Sequence, residues 1–359
     1  MSRPKLRAGI IGLGVGKAHA RGYRGSEDAE LVAVCDMNAQ RLNESADEWG
    51  VEARFTDYDE MFRKAKLDIV SVCLPNALHA EATIAGLKSG VHVICEKPMA
   101  VTVDEAATMV ETARRAQRHL MVSYNYRYRA DAQWINRVVQ SGRLGKIYHA
   151  HIAWHRETGI PGWGVFGSKK LSGGGALIDL GVHILDLALW MMNFPQVLTV
   201  SAQTRSLFGP EGRKTWGRRP GRIGQDEFNV DDGGTAFMRL AGGASLAMEV
   251  TWAEHTQPKE DSFRIELQGT EGTAILHVRH YSSEDTIRLY TEIEGEAVTV
   301  IPVIRPEGAQ GHEALVKDLV ARIRQGLEPS TTGQQGLLGV TLLDAIYRSS
   351  EQGAEVRLG

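Results

Sequence analysis

The chain has 359 residues, 43% of them hydrophobic and 24% charged, with a formal net charge of −3. That length suits about two domains with sizeable cores, and the near balance of charge excludes the basic footprint of a nucleic-acid or acidic-membrane binder. The three cysteines, Cys35, Cys73 and Cys95, form no Cys-x-x-Cys pair and read as buried reduced thiols of a cytoplasmic protein.

No signal peptide is expected and no apolar run reaches membrane length; the longest, residues 176–192, is broken by Asp179, His183 and Asp186. Residues 6–11 read as a buried strand, and Gly12-Leu13-Gly14-Val15-Gly16 leads into a helix near Lys17. Glycines at such a turn let a pyrophosphate approach the backbone at a helix N-terminus. The pattern departs from Gly-x-Gly-x-x-Gly, because Lys17 holds the third position and Gly16 falls one residue early. The next strand, 29–35, ends in Asp36, 22 residues beyond Gly14, the spacing of a carboxylate that grips ribose hydroxyls. Such an acid repels a 2′-phosphate and favours NAD over NADP, although the nearby Arg41 is a residue type that accepts that phosphate. A helix N-cap is the structural alternative for Asp36.

Helices expected at 57–66, 79–89 and 103–117 alternate with strands at 68–74, 91–94 and 119–123. That alternation means a parallel, doubly wound sheet. Pro75, Asn76 and His79 fall on a carboxyl-edge loop placed to touch a cofactor, while His79 suits a helix start on the surface equally well. Cys95-Glu96-Lys97-Pro98 ends the 91–94 strand. A lysine there stands where open α/β sheets bind ligands. The proline restricts the lysine's backbone and allows a cis bond before it. A solvated lysine followed by a turn proline is the plain alternative.

From Tyr124 the character changes. A helix at 131–140 precedes strands at 146–155, 197–205, 234–240, 245–252, 263–268, 273–278, 287–293 and 297–303, a mostly antiparallel sheet. Residues 208–228 read as a basic, glycine-rich insertion loop, and helices follow at 313–325 and 335–351. Ser172-Gly173-Gly174-Gly175 precedes a helix over 176–192 that is apolar almost all round and therefore buried. Asp179, His183 and Asp186, spaced by four and three, share one face of it. Burying them is costly unless each has a partner. The trio reads as a self-satisfied group that orders the core, as a functional cluster, or as ligands for zinc or iron.

Taken together, Gly12-Leu13-Gly14, Asp36, Leu74-Pro75-Asn76-x-x-His79, Glu96-Lys97-Pro98, Tyr124-Asn125-Tyr126-Arg127 and Gly174-Gly175-Ala176-Leu177-x-Asp179-x-Gly181-x-His183-x-x-Asp186 resemble the Gfo/Idh/MocA family of oxidoreductases over nearly the whole chain. The resemblance implies an α/β Rossmann domain over 1–123, then an α+β domain over 124–359 with a large open-faced, mostly antiparallel sheet that commonly builds a homodimer or homotetramer. It implies NAD as cofactor, no metal, and a sugar, sugar derivative or inositol-like cyclic polyol as substrate, with no nucleic-acid or membrane partner. Carried onto this chain, the cofactor set is Gly12, Gly14, Val15, Asp36, Pro75, Asn76, His79, Glu96, Lys97, Asn125 and Arg127.

By the same analogy Lys97 and His183 flank the reacting C–O group, with Asp179 nearby. A histidine, with an ordinary pKa of about 6.5, suits the base that takes a hydroxyl proton. Lys97 suits stabilisation of developing alkoxide charge, and Asp179 suits substrate hydroxyls or the orientation of His183. Trp154, His155, Arg156 and Trp163 lie on and after a strand expected to approach the substrate. A Trp face suits a sugar's C–H surface and Arg156 its hydroxyls; ordinary packing is the alternative for both tryptophans. Two other activities stay open: a redox-assisted glycoside hydrolase that uses bound NAD, and a non-catalytic NAD- or sugar-binding regulator. Lys97 together with Asp179 and His183 argues against the regulator.

Overall fold

The computed structural model describes residues 3–217 and 228–359, so most of the second half of the expected 208–228 loop lies outside the described residues. The chain folds as two compact units: the segment through Tyr128 with Gly308–Val340, and Arg129–Glu307 with Thr341–Gly359.

The first unit is built on six parallel strands: β1 (Leu6–Ile11), β2 (Ala29–Cys35), β3 (Ala53–Phe55), β4 (Ile69–Val72), β5 (His92–Cys95) and β6 (Leu120–Val122). Between them run α1 (Gly16–Arg24), α2 (Ala39–Trp49), α3 (Tyr58–Lys64), α4 (His79–Lys88) and α5 (Val103–Ala116). The strand order is β3-β2-β1-β4-β5-β6. The short edge strand β3 is an addition to the sequence reading. The inner strands are apolar on both faces because helices cover both sides of a parallel sheet. The chain runs outward from β1 through β3 and then crosses to β4, so the carboxyl ends of β1 and β4 bound the switch point where open sheets bind ligands. Cys35, Cys73 and Cys95 are buried free thiols. Burial pushes Cys35 and Cys95 up to about 12, which leaves them protonated and inert.

The sequence suggested one boundary at 123/124, whereas residues 308–340 return to the first unit. The reason is an apolar stripe on the helix Gly311–Gln325: Leu315, Val316, Leu319 and Val320 are buried in that unit's core with Tyr23 and Leu13. Val316 lies so close to Gly22 of α1 that a Cβ there would stand 2.5 Å from it. Residues 331–332 also dress the open side of β6, where Val122 N–H donates to the Thr331 carbonyl at 3.0 Å.

The second unit opens with α6 (Ala130–Gln140) and β7 (Ile147–Arg156), followed by β8 (Ile160–Pro161), the single turn α7 (Lys169–Ser172) and α8 (Val182–Met191). Strands β9 (Val197–Arg205), β10 (Thr215–Trp216), β11 (Gly233–Leu240), β12 (Ser245–Thr251), β13 (Asp261–Gly269), β14 (Gly272–Arg279), β15 (Ile287–Ile293) and β16 (Glu296–Val300) come next. Then follow α9 (the helix Gly311–Gln325 just described), α10 (Gly333–Gln352), whose residues pass from the first unit to the second, and β17 (Val356–Arg357). Nine strands form one sheet in the order β16-β15-β14-β13-β7-β12-β11-β9-β17. Only β7 and β12 pair in parallel; the other neighbours in it are antiparallel.

Alternation assigns the two faces of this sheet. Ala150, Ile152 and Trp154 of β7 are buried beside Phe263, Ile265 and Leu267 of β13 and Leu246, Met248 and Val250 of β12. His149, His151, His155, Glu249, Arg264 and Glu266 occupy the opposite, partly exposed face. Helix α8 packs against β7 and β13. The stretch Lys169–Met191 has the length and hydropathy of a membrane span, yet its most apolar window is 89% buried in the protein, as in the core helix of a globular domain.

Candidate active site

The first unit gathers its candidate residues at the carboxyl edge of the parallel sheet. Gly12 follows β1 with a φ of +85°, and a Cβ there would stand 2.3 Å from the Cys73 carbonyl oxygen at the end of β4. Glycine is required by both conformation and space. Gly14 is exposed with open space around the position of a Cβ, and α1 begins at Gly16 with no side chain capping its first N–H groups. An open cradle at an uncapped helix N-terminus fits a dinucleotide pyrophosphate. The displaced third glycine is also explained. A Cβ on Gly16 would stand 2.7 Å from the Ile10 side chain, so Gly16 allows the close helix–strand packing, and Lys17 is exposed.

Asp36 directly follows β2 and faces this loop. Its Oδ2 accepts the Leu13 N–H at 2.9 Å and its Oδ1 the Asn38 N–H at 2.8 Å. Arg41 binds both oxygens at 2.7 Å. Burial opposes ionisation, but Arg41 and the two N–H groups hold the carboxyl below its ordinary range. The N-cap of α2 is Asn38, which removes the capping alternative for Asp36.

Beyond β4, Pro75 is exposed and Asn76 half-buried in the turn Asn76–Leu78. His79 turns its ring to backbone partners rather than to the surface. It is buried, and its ring lies 2.7 Å from both the Pro98 and Leu74 carbonyl oxygens, so it braces the loops after β4 and β5. Burial holds its pKa below the ordinary histidine value.

Glu96 also turns to protein partners. It is 6% exposed. Its Oε1 lies 2.8 Å from His19 Nε2 and 3.3 Å from His312 Nε2, and its Oε2 accepts the Lys97 N–H at 3.2 Å. Behind it, His19 Nδ1 is 3.0 Å from Ser71 Oγ, which is 2.8 Å from Tyr23 Oη. Burial, only partly offset by Glu96, lowers the His19 pKa below the ordinary histidine value and favours the neutral ring. The donors then run one way: Tyr23 O–H to Ser71, Ser71 O–H to His19 Nδ1, His19 Nε2–H to Glu96. Burial opposes the Glu96 charge, yet His19 and His312 hold its pKa well below the carboxylate range. The His19, Glu96 and His312 ligand atoms lie within 4.8 Å of one another. However, atoms bound to one zinc at about 2.0–2.1 Å in tetrahedral geometry stand wider apart than the 2.8 Å hydrogen bond here. Sequence reading missed this network because His19 and His312 carry no motif of their own.

Lys97 follows, half-buried, with its cis bond to Pro98. Arg127 is buried and donates to the Ser330 carbonyl at 3.1 Å and Gln335 Oε1 at 2.9 Å, anchoring the returning segment; Asn125 is half-buried two residues earlier.

The second unit displays a different arrangement. The helix expected over 176–192 begins with a π-helical turn, Leu177–Gly181, before α8. Such turns are frequent at functional sites. Asp231 fastens its start: Oδ1 accepts the Gly175 N–H at 2.8 Å and the Tyr347 O–H at 2.6 Å, and Oδ2 accepts the Leu177 N–H at 3.0 Å. A Cβ on Gly175 would collide with the Asp231 carbonyl, so a glycine here lets the segment before β11 approach. His183 and Asp186 are buried, and Asp179 is half-buried with Oδ2 accepting the Trp252 indole N–H at 3.0 Å.

Trp154 is core: it donates to Asp261 Oδ1 at 3.1 Å and its ring lies 6.2 Å from that of His183. His155 points to the opposite face of the sheet, bonded to Glu254 at 3.1 Å. Arg156 is buried, 3.2 Å from Asp261 Oδ2, bonded to the Tyr281 hydroxyl, and stacked over Trp154 at 5.6 Å and Trp216 at 5.7 Å. Trp163 is exposed and meets Trp216 edge to face.

A parallel sheet with a glycine loop, an acid closing its second strand and a lysine at its carboxyl edge defines an NAD-binding oxidoreductase that acts on CH–OH groups. Residues 6–124 match the family model described as "Oxidoreductase family, NAD-binding Rossmann fold", and residues 132–275 match the "GFO/IDH/MocA C-terminal domain". The chain belongs to the Gfo/Idh/MocA oxidoreductase family. It is 32% identical over 365 residues to a D-glucoside 3-dehydrogenase of Escherichia coli, covering 100% of this chain and 99% of that protein. It is 26% identical to a myo-inositol 2-dehydrogenase of Thermotoga maritima, covering 98% of each. Among solved structures it resembles the WlbA dehydrogenase of Bordetella pertussis in complex with NADH and UDP-GlcNAcA, with a TM-score of 0.78, 27% identity and 99% of each chain covered.

Proposed function

We propose that the protein is an NAD-dependent dehydrogenase that oxidises a secondary hydroxyl of a sugar or sugar derivative. The observation that carries this reading is the placement of Asp179 and His183 on the π-turn and α8, beside the buried Arg156 cluster, in a chain of this family. The named activities of the relatives, on a D-glucoside and on myo-inositol, support a polyhydroxylated substrate.

The N–H groups at the uncapped start of α1, beside Gly14, would hold the cofactor's pyrophosphate, and Asp36, now bonded to Arg41, would take its ribose hydroxyls. When bound, NAD supplies the acceptor for the carbinol hydride. In the oxidation the C–H bond breaks with its electron pair, the hydroxyl proton passes to His183, and a carbonyl remains. Lys97 stabilises the oxygen as it gains negative charge. Asp179, held by the Trp252 indole, accepts hydrogen bonds from substrate hydroxyls. His79 and Glu96 fix the loops that carry Lys97.

The test is NADH formation across free aldoses, glycosides and inositols, with His183→Asn in parallel. Net NADH with at least one polyol is expected, and the variant should lose about 10²–10⁴ in kcat. Glycoside cleavage without net NADH, or near-normal turnover and an unchanged pH profile in His183→Asn, would overturn the assignment.

A further inference from the structure

Two exposed tryptophans beside the Arg156 cluster are not accounted for by the oxidation itself. Trp163 is 39% exposed and Trp216 51% exposed. Their rings stand 5.6 Å apart at 74°, an aromatic corner. The corner is built rather than incidental. Strands β8 and β10 pair in parallel, and the Gly162 N–H donates to the Trp216 carbonyl at 3.1 Å. Lys214, just before β10, binds the Glu157 carboxylate at 2.7 Å and the Glu157 carbonyl at 3.1 Å, tying this pair to the end of β7. Gly217 has a φ of +65°, and a Cβ there would press on the Trp163 ring at 3.0 Å.

Ring contacts connect the corner to the polar face in two directions. Trp163 meets Phe166 at 6.4 Å, Phe166 meets Trp252 at 6.4 Å, and Trp252 donates to Asp179. On the other side, Trp216 lies under the Arg156 guanidinium, which also covers Trp154, the neighbour of His183. The corner therefore adjoins the proposed hydroxyl-binding residues and leaves large indole surface to solvent. Exposed indole beside buried polar anchors is the composition of a ligand site. A single sugar needs the polar anchors; the aromatic corner offers apolar area that suits a second ring.

We propose that Trp163 and Trp216 form a subsite for a ring-shaped aglycone, so that the preferred substrate is a glycoside carrying a second pyranose or an aryl group rather than a free sugar. This rests on the dehydrogenase reading and names its substrate class. The C–H face of a pyranose, or an aryl face, lies on indole, while the sugar being oxidised meets Arg156, Asp179 and His183.

The experiment compares kcat/KM for cellobiose, maltose and phenyl glucosides with that for methyl glucosides and free glucose, using the full chain and NAD. At least one ring-bearing glycoside should exceed its methyl counterpart by about tenfold, mainly through KM, the scale of about 1.4 kcal/mol of added contact. Trp163→Ala and Trp216→Ala should each lower that ratio about fivefold or more, and Trp216→Phe should restore most of it. A ratio near one in the native protein, or a ratio unmoved by both alanine variants, overturns the subsite. Titration of intrinsic tryptophan fluorescence with phenyl glucoside provides a reading independent of turnover. A saturable change weakened in Trp216→Ala supports the subsite, and no change overturns it. Absence of NADH formation with every sugar and glycoside, alongside a positive titration, would instead overturn the dehydrogenase reading and leave the subsite standing.

Discussion

Glu96 in the first unit and Asp179 in the second are carboxylates that the fold treats oppositely. Glu96 is 6% exposed, and His19, His312 and the Lys97 N–H all bind it. Asp179 is half-buried, with an indole N–H on one oxygen and an aromatic cluster around it that reaches the surface. The contrast separates two ways a polar residue serves a reaction. A saturated carboxylate fixes backbone, here the strand end that carries Lys97. A carboxylate left within reach of solvent is the kind that the proposed function assigns to substrate hydroxyls. Motif membership alone does not tell the two apart, since both belong to the runs that carry the family resemblance.

Substitutions probe this contrast directly. Glu96→Ala leaves the buried His19 Nε2–H without its acceptor, and should cost about 3 kcal/mol of stability, read by chemical denaturation. The pH dependence sharpens it. The Glu96 pKa is depressed on folding, so its contribution is complete above the unfolded value of about 4.3 and is lost as pH falls toward the folded value. The melting temperature of the native protein should therefore fall more steeply below about pH 4.3 than that of Glu96→Gln. Equal slopes would mean that the His19–Glu96–His312 group carries no net stabilisation.

Asp179→Asn should behave in the reverse way. The amide oxygen still accepts the Trp252 N–H, so stability should change by about 1 kcal/mol or less, while kcat/KM falls about 30-fold through lost charge-assisted bonds to substrate. A large loss of stability with intact kinetics would place Asp179 with Glu96 among the scaffold residues. The smallest effect is expected at Asp36, which combines both roles: it is tied to Arg41 and Leu13 yet faces the glycine loop. Asp36→Ala releases Arg41, and the NADP to NAD preference should rise about tenfold, measured as the ratio of kcat/KM values. An unchanged ratio would leave Asp36 as a structural partner of Arg41 alone.

Much of this was legible in the chain because the signals are local. Period-two and period-3.6 patterns set the strands at 197–205 and 287–293 to the residue, and β5 ended at the run that carries Lys97. Helix α5 starts at Val103 as expected, behind the Thr102–Glu105 capping box, and ends one residue short of the expected 117, at Ala116, because Gln117 is left-handed. The π-helical turn that carries Asp179 was not legible, because no local pattern in an apolar helix announces a widened turn. Other features were illegible because their partners are remote in sequence. Nothing local announces that His312 reaches Glu96, that Asp231 and Tyr347 pin the glycine run, or that Trp216 meets Trp163.

The sequence by itself determined the two kinds of sheet, the glycine loop with its acid, the lysine at a strand end and the polar stripe on an apolar helix. Each follows from backbone preference and side-chain period within a few turns of chain. Only the tertiary structure decided that residues 308–340 complete the first unit, that His79 and Glu96 brace loops, and that two distant tryptophans make one corner. The physical reason is that a buried hydrogen bond or ring contact is satisfied by whichever group the packing brings near, and packing is a property of the whole chain.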